Sequence, residues 1–170
     1  MTTQKTSYLS KIKTKRFLML FVVVLLFFSE RATAQNSIQW ISFEQLEDSL
    51  SIKPKKVFIT FYADWCAYCK KMERVAFRDP KVISRLNEAY YAIKMNAEAT
   101  DTIRFDGKTF TNKQLGKQRN PTHEIPLLLA SRKNYPFSLP AMVLLNEKFE
   151  VVGRHFEYLS PKQLNDILAD

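Results

Sequence analysis

Cysteine and histidine are both scarce in this chain of 170 residues, which contains two of each. A structural zinc site needs four Cys or His ligands, and His123 and His155 do not stand at the spacing of a zinc finger. Haem attachment needs a histidine directly after a C-x-x-C pair, where this chain has Lys70. We therefore expect no metal site and no cofactor. We interpret His123 as a residue that opens a helix or satisfies a core contact, and His155 as a structural residue of a strand.

A long apolar run is missing as well. The apolar segment from Phe17 to Phe28 is shorter than the roughly 20 residues that a membrane-spanning helix needs. Basic residues precede this segment, and the small residues Ala32 and Ala34 follow it. This order is typical of a secretory signal peptide, which we predict over residues 1–34, with cleavage after Ala34. An uncleaved membrane anchor is the alternative, and no cysteine stands at the end of the segment to carry a lipid.

Acidic residues are too few to balance the basic ones. The chain has 26 Lys and Arg and 17 Asp and Glu, which gives a formal net charge of +9. Such an excess could indicate binding to nucleic acid. Much of it lies between Lys5 and Arg16, however, within the predicted signal peptide. The aromatic residues are also not interleaved with basic ones as they are on nucleic-acid-binding surfaces. We therefore interpret the charge largely as a targeting device and expect no nucleic-acid partner.

Residues 35–170 have the patterns of one α/β domain. The predicted order of elements is β-α-β-α-β, an insertion, and then β-β-α. Strands are predicted from apolar runs and helices from capping residues and helical spacing. The main predicted elements are a helix from Phe43 to about Ser51, strands at 57–62, 90–95, 141–145 and 151–156, and helices that begin near Cys66, Pro80 and Ser160.

The segment from about residue 97 to residue 135 is polar and rich in turn-forming residues. Asp106-Gly107 predicts a hairpin turn, and residues 125–129 predict a short helix. Neither end of the segment has the composition of a flexible linker, so we interpret it as an insertion within the domain. The sequence indicates no role for this insertion.

The two cysteines, Cys66 and Cys69, form a C-x-x-C motif between the predicted strand 57–62 and a predicted helix. A disulfide between them closes a very short loop and restrains little of the unfolded chain, so stability explains it poorly. The unpaired N–H groups of the helix N-terminus should lower the pKa of the Cys66 thiol. We predict that Cys66 is the nucleophile and that Cys69, about one turn later, attacks the resulting mixed disulfide.

The segment 61–70, Phe-Tyr-Ala-Asp-Trp-Cys-Ala-Tyr-Cys-Lys, resembles the active site of the thioredoxin superfamily. It resembles in particular exported thioredoxin-like proteins and the C-terminal domain of DsbD, a membrane conductor of reducing equivalents. The resemblance covers roughly residues 38–169 and is interrupted by the insertion. It implies a thioredoxin fold of the α/β class, with a central mixed sheet flanked by helices on both faces and the insertion before the cis-proline strand.

The same resemblance implies roles for four further residues. Pro140 matches the cis-proline of the family, which faces the cysteines, and Leu139 inherits a contact to the substrate backbone. Trp65 matches a tryptophan beside the nucleophile, and Glu73 matches an acidic residue one turn past the second cysteine. Two alternatives stay open. Pro140 could be a trans proline at a strand start, with Pro136 as the cis residue, and Glu73 could be a solvated glutamate.

Two positions depart from the thioredoxin pattern. Thr60 stands where thioredoxins bury an aspartate that assists the resolving cysteine, and a threonine cannot take a proton at neutral pH. Glu73 or Asp64 would have to substitute, acting through water. The dipeptide Ala67-Tyr68 replaces the Gly-Pro of thioredoxin, so the redox potential does not carry over.

The resemblance implies a thiol–disulfide oxidoreductase that acts on exported proteins carrying disulfides. We expect a reductase in the bacterial periplasm, recharged by a membrane electron donor of the DsbD type, because an exported reductase works in an otherwise oxidising compartment. One alternative is a DsbA-like oxidase or isomerase that uses the same residues. Another is a non-catalytic binding module with idle cysteines.

Overall fold

The computed structural model describes residues 37–169. The predicted signal peptide over residues 1–34, its apolar segment and its cleavage site lie outside the described residues. No helix within residues 37–169 has the length and apolar character needed to cross a membrane.

The individually predicted helices and strands are present, with ends that differ from the predicted ones by about one residue, but two helices rather than the single one of the predicted order lie between the strands at 56–62 and 90–96. The strands are β1 (Trp40–Ile41), β2 (Lys56–Tyr62), β3 (Tyr90–Asn96), β4 (Ile103–Phe105), β5 (Lys108–Phe110), β6 (Ala141–Leu145) and β7 (Val151–His155). The helices are α1 (Phe43–Ile52), α2 (Ala67–Arg74), α3 (Pro80–Ala89), α4 (Glu124–Ala130) and α5 (Pro161–Ile167), with a 3₁₀ turn at Ala76–Arg78.

The main sheet has the strand order β1-β3-β2-β6-β7. Strand β2 pairs in parallel with β3 and antiparallel with β6, so the sheet is mixed. Phe58 belongs to a core cluster with residues of α2, α3 and α5, whereas Ile59 and Phe61 belong to a cluster with residues of α1 and α4. Both faces of β2 are therefore covered, which explains why its sequence is an unbroken apolar run. The predicted α/β thioredoxin fold is confirmed.

The helix starts have the capping contacts that their sequences predict. The Ser42 side chain accepts the backbone N–H of Gln45, and the Gln45 side chain accepts the N–H of Ser42, which completes a capping box. Asp79 caps α3, with Pro80 at the first helical position. These contacts satisfy N–H groups that a helix leaves unpaired at its start.

The insertion contains the predicted hairpin and the predicted short helix. Strands β4 and β5 pair antiparallel, and the turn between them places Asp106 at φ 52° and Gly107 at φ 65°. Both angles lie in the left-handed region that an Asp-Gly turn tolerates. His123 is fully buried and caps α4, because its Nδ1 accepts the N–H of Ile125 at 3.2 Å. The interpretation of His123 as a helix-opening residue is thereby confirmed.

Hydrogen bonds tie the insertion back to the chain that follows β3. The buried side chain of Asn112 donates to the carbonyl oxygens of Ala99 at 3.1 Å and Pro121 at 2.9 Å. The N–H of His123 donates to the Ala97 carbonyl at 2.8 Å. The later part of the insertion is therefore held to its own first residues, which directly follow β3.

Candidate active site

Cys66 and Cys69 form a disulfide at the N-terminus of α2, with their Cα atoms 5.2 Å apart. Cys66 is the N-cap residue, and its Sγ accepts the backbone N–H of Cys69 at 3.1 Å. The two residues are 4% and 7% exposed. The unpaired N–H groups at a helix start stabilise a thiolate in this position once the disulfide is opened. The geometry therefore favours Cys66 as the sulfur that carries negative charge.

The segment before β6 lies against the disulfide. The Leu139–Pro140 peptide bond is cis and is the only cis bond among residues 37–169, so the alternative cis position at Pro136 is wrong. Leu139 packs against the cluster formed by Ala63 and the two cysteines. The structure thus brings the predicted cis-proline loop to the predicted nucleophile. The contact of Leu139 and Pro140 with substrate stays a prediction.

Trp65 extends outward beside the disulfide. Its side chain is 58% exposed, and its Nε1 donates to Oε1 of Glu98 at 2.8 Å. Glu98 follows β3, where its own N–H donates to Oδ1 of Asn96. The indole is therefore held by one hydrogen bond at the surface, in a position to contact a docked polypeptide.

A cavity of about 140 Å³ lies on the side of Cys69. Glu73 lines it together with Cys69, one turn earlier on the same helix, and with Thr60, Asp64 and Pro140. The volume corresponds to a few water molecules at ~30 Å³ each. Glu73, the predicted substitute for the buried aspartate, thus shares a space of a few water molecules with Cys69, the predicted resolving cysteine.

Lys94 also lines this cavity, and sequence reasoning missed it. Its Nζ donates to Oε2 of Glu73 at 2.6 Å and lies 5.0 Å from the centroid of the Tyr62 ring. On β3 it stands in register with the buried Thr60 of β2. The signal that could have found it is a single charged residue within an otherwise uncharged central strand. Glu73 is therefore paired with Lys94, while its side chain remains 43% exposed, so its catalytic role stays a prediction.

No group of three or more His, Cys, Asp or Glu side chains that could hold a metal ion occurs within residues 37–169. Cys66 and Cys69 are joined to each other. The chemistry that this arrangement supports is thiol–disulfide exchange.

The family model described as a thioredoxin-like domain matches residues 43–170, about three quarters of the chain. The chain belongs to the thioredoxin-like family. Among solved structures, it is similar to a thioredoxin from Thermus thermophilus, with 18% identity and a TM-score of 0.53, over 78% of this chain and 85% of the other. At this identity the likeness shows the fold.

Curated relatives of this thioredoxin-like chain include two proteins described as thiol:disulfide interchange protein DsbD. The one from Vibrio vulnificus is 33% identical over 66 residues, which are 35% of this chain and 11% of that protein. The one from Escherichia coli is 35% identical over 80 residues, which are 44% of this chain and 14% of that protein. The chain thus resembles DsbD and spans only a small part of it. A thioredoxin-like domain with a C-x-x-C pair supports a thiol–disulfide oxidoreductase in general terms.

Proposed function

We propose that this protein is a thiol–disulfide reductase for disulfides of exported proteins. The observation that carries the proposal is the position of Cys66, whose Sγ accepts a backbone N–H at the start of α2 and lies beside the cis-proline loop. A thiolate there is both stabilised and placed next to a surface where polypeptide can dock. The resemblance to DsbD, whose description names thiol–disulfide interchange, supports the same chemistry.

The proposed cycle begins with both cysteines reduced. The Cys66 thiolate attacks one sulfur of the substrate disulfide; a bond forms between them, the substrate S–S bond breaks, and the other substrate sulfur leaves as a thiolate that takes up a proton. Cys69 then loses its proton and attacks Sγ of Cys66. This second step forms the Cys66–Cys69 disulfide, releases the remaining substrate thiolate and completes the transfer of two electrons to the substrate.

Glu73 is proposed to accept the proton of Cys69 through water in the shared cavity. A carboxylate in this position supplies what Thr60 cannot, because a hydroxyl does not act as a base at neutral pH. Lys94 orients this carboxylate by donating to Oε2, which leaves Oε1 without a hydrogen-bond partner among residues 37–169. Glu73 thus acts as a base for the resolving step, and Lys94 acts as a positioning residue.

Reuse of the oxidised form needs a reductant. We propose a membrane electron donor of the DsbD type, because a secretory compartment such as the periplasm is otherwise oxidising. Export depends on the proposed signal peptide. Mass spectrometry of the protein recovered from the periplasm should give a chain that begins at residue 35, and recovery of an uncleaved chain only from the cytoplasm would contradict the proposed location.

The test of direction is the equilibrium reduction potential of the Cys66–Cys69 pair, measured against glutathione and dithiothreitol with thiol trapping. A value near that of thioredoxin, about −270 mV, supports a reductase. A value near that of DsbA, about −120 mV, would contradict the proposal and favour an oxidase. A disulfide with so high a reduction potential takes electrons from the thiols of its partners and so oxidises them.

A further inference from the structure

A second cavity lies beside the disulfide, next to Trp65, with a volume of about 400 Å³. Trp65 and Leu139 form its edge, and Leu139 also packs against both cysteines. The opposite wall comes from the insertion, through Gln114, Gln118 and Leu127. We call this cavity the insertion groove. It is continuous with the redox site through Leu139, and its volume falls within the range of about 300–1,000 Å³ for ligand pockets.

The insertion side of the groove carries amide groups with free hydrogen-bonding capacity. Oε1 of Gln114 accepts the N–H of Thr122 at 3.0 Å, and within residues 37–169 its Nε2 has no acceptor. The side-chain amides of Gln118 and Asn120 also have no hydrogen-bond partner in the described part of the chain, and both side chains are exposed. Free amides suit a polypeptide backbone, which offers both N–H and C=O groups along its length.

The rest of the groove is apolar. Leu127, Phe137 and Leu139 are half-buried and line it. On α4, Leu129 packs into the core, whereas Leu127 faces the groove and Leu128 is 67% exposed outside it. Leu127, Phe137 and Leu139 thus give the groove an apolar surface.

Charge is nearly absent from the lining. Among residues 37–169 the only charged lining residue is Glu98, and its carboxylate accepts the indole N–H of Trp65. An acidic substrate side chain would lose water there without gaining an opposite charge, and a basic one would meet only the Glu98 carboxylate, which already accepts the indole N–H. The groove is therefore complementary to an uncharged segment.

We propose that the insertion groove binds the polypeptide segment that adjoins the reacting cysteine of the substrate, and that it selects a large apolar side chain next to that cysteine. This inference rests on the proposed function, because the cysteine must bond to Cys66 for its neighbours to reach the groove. The amides bind the backbone of the segment, and Leu127 and Phe137 cover the side chain. The insertion thus determines substrate preference.

The experiment uses symmetric disulfides of acetyl-Gly-X-Cys-X-Gly-amide, with X as Leu, Ser, Lys or Glu. Rate constants for oxidation of the reduced protein are divided by those of dithiothreitol with the same peptide, which removes differences in intrinsic reactivity. We expect the Leu peptide to react about tenfold faster than the others after this correction. Hydroxyethyl disulfide, which is too small to reach the groove, is measured in parallel.

Two variants on α4 form a matched pair. Leu127→Ser should remove most of the preference for the Leu peptide, and Leu128→Ser should retain it. Gln118→Ala, an exposed change that does not alter the core, should lower the rate for every peptide relative to hydroxyethyl disulfide.

The outcomes separate this inference from the proposed function. Equal corrected rates for all four peptides would contradict the proposed role of the groove. An equal loss of the preference for the Leu peptide in Leu127→Ser and Leu128→Ser would also contradict it. Neither result would bear on the exchange chemistry. Failure of the reduced protein to react even with hydroxyethyl disulfide would overturn the proposed function itself, and the groove assignment with it.

Discussion

Oε2 of Glu73 lies 2.6 Å from Nζ of Lys94, at the cavity that also borders Cys69. This ion pair joins the helix that carries the cysteines to the central strand β3. Both side chains are partly exposed, and such pairs contribute only about 0–1 kcal/mol to stability. Stability is therefore a weak reason for a charged pair here, which favours the proposed role of Glu73 in proton transfer at Cys69.

Removal of the Glu73 carboxylate should slow the attack of Cys69 on the mixed disulfide. We expect Glu73→Gln to prolong the lifetime of the mixed disulfide by about 10²-fold at neutral pH, the lower range for loss of a general base. The difference from the wild type should shrink as the pH is raised, because hydroxide then deprotonates Cys69 directly. Rapid acid quench followed by thiol trapping measures this lifetime.

Two variants complete this test. Glu147→Gln removes an exposed carboxylate in the turn between β6 and β7, away from the cavity, and should leave the lifetime unchanged. Lys94→Met should lengthen it less than Glu73→Gln, since the carboxylate stays but loses its orientation. A lifetime in Glu73→Gln equal to that of the wild type at every pH would rule out the proposed base.

The single-cysteine variants distinguish an enzyme from a binding module. Cys69→Ser should accumulate stable mixed disulfides with substrate proteins, because Cys66 still attacks and nothing resolves the product. Cys66→Ser should accumulate few, since its remaining thiol, that of Cys69, lacks the N-cap position that stabilises a thiolate. Non-reducing gel electrophoresis after acid trapping in the periplasm measures both. A binding module with idle cysteines would give the same low level in each.

The sequence predicts the parts of the site that lie on one continuous segment or in one recognisable loop. Cys66 and Cys69 follow one apolar strand and Pro140 precedes another, and the resemblance to the thioredoxin superfamily implies that the proline loop faces the cysteines. The antiparallel pairing of β2 and β6 places the two segments at the same end of the sheet. Lys94 was missed because its meeting with Glu73 depends on the register of β3 against β2, which local patterns do not specify.

The insertion groove was missed for a different reason. Gln114, Gln118 and Leu127 come from turns and a short helix that have no periodic pattern, and exposed residues of this kind show no distinctive signature in one sequence. The hairpin was predictable because Asp106-Gly107 has a definite turn preference. The individual turn was therefore predictable from the sequence, whereas the surface that several turns form together depends on the tertiary structure and was not.

Asn112 should be a principal stabilising residue of the insertion. Its buried amide donates to two carbonyl oxygens, and Asn112→Ala leaves both without this donor. We expect a loss of about 1–3 kcal/mol in the free energy of unfolding, measured by urea denaturation. Asn120→Ala, at an exposed position of the same segment, should change it by less than about 0.5 kcal/mol. Equal changes in the free energy of unfolding for the two substitutions would contradict the stabilising role of Asn112.

Glu124, the first residue of α4, should make the stability of the insertion depend on pH. Hydrogen bonds from Lys113 and then from Thr111 hold the pKa of Glu124 below its usual value of 4.5. Because the folded chain favours the charged carboxylate, its contribution to stability is present above the ordinary pKa and is lost as the pH falls through the lowered one. The negative charge also suits the N-terminus of a helix.

The comparison of Glu124→Gln with the wild type tests this relationship. Their free energies of unfolding should differ by a constant amount above about pH 5, and the difference should shrink as the pH falls through the lowered pKa of Glu124, because the protonated carboxyl resembles the amide. Urea denaturation across this range measures it. Glu157→Gln, an exposed change after β7, should show no such dependence. A difference that persists undiminished at low pH would mean that Glu124 acts through packing rather than through its charge.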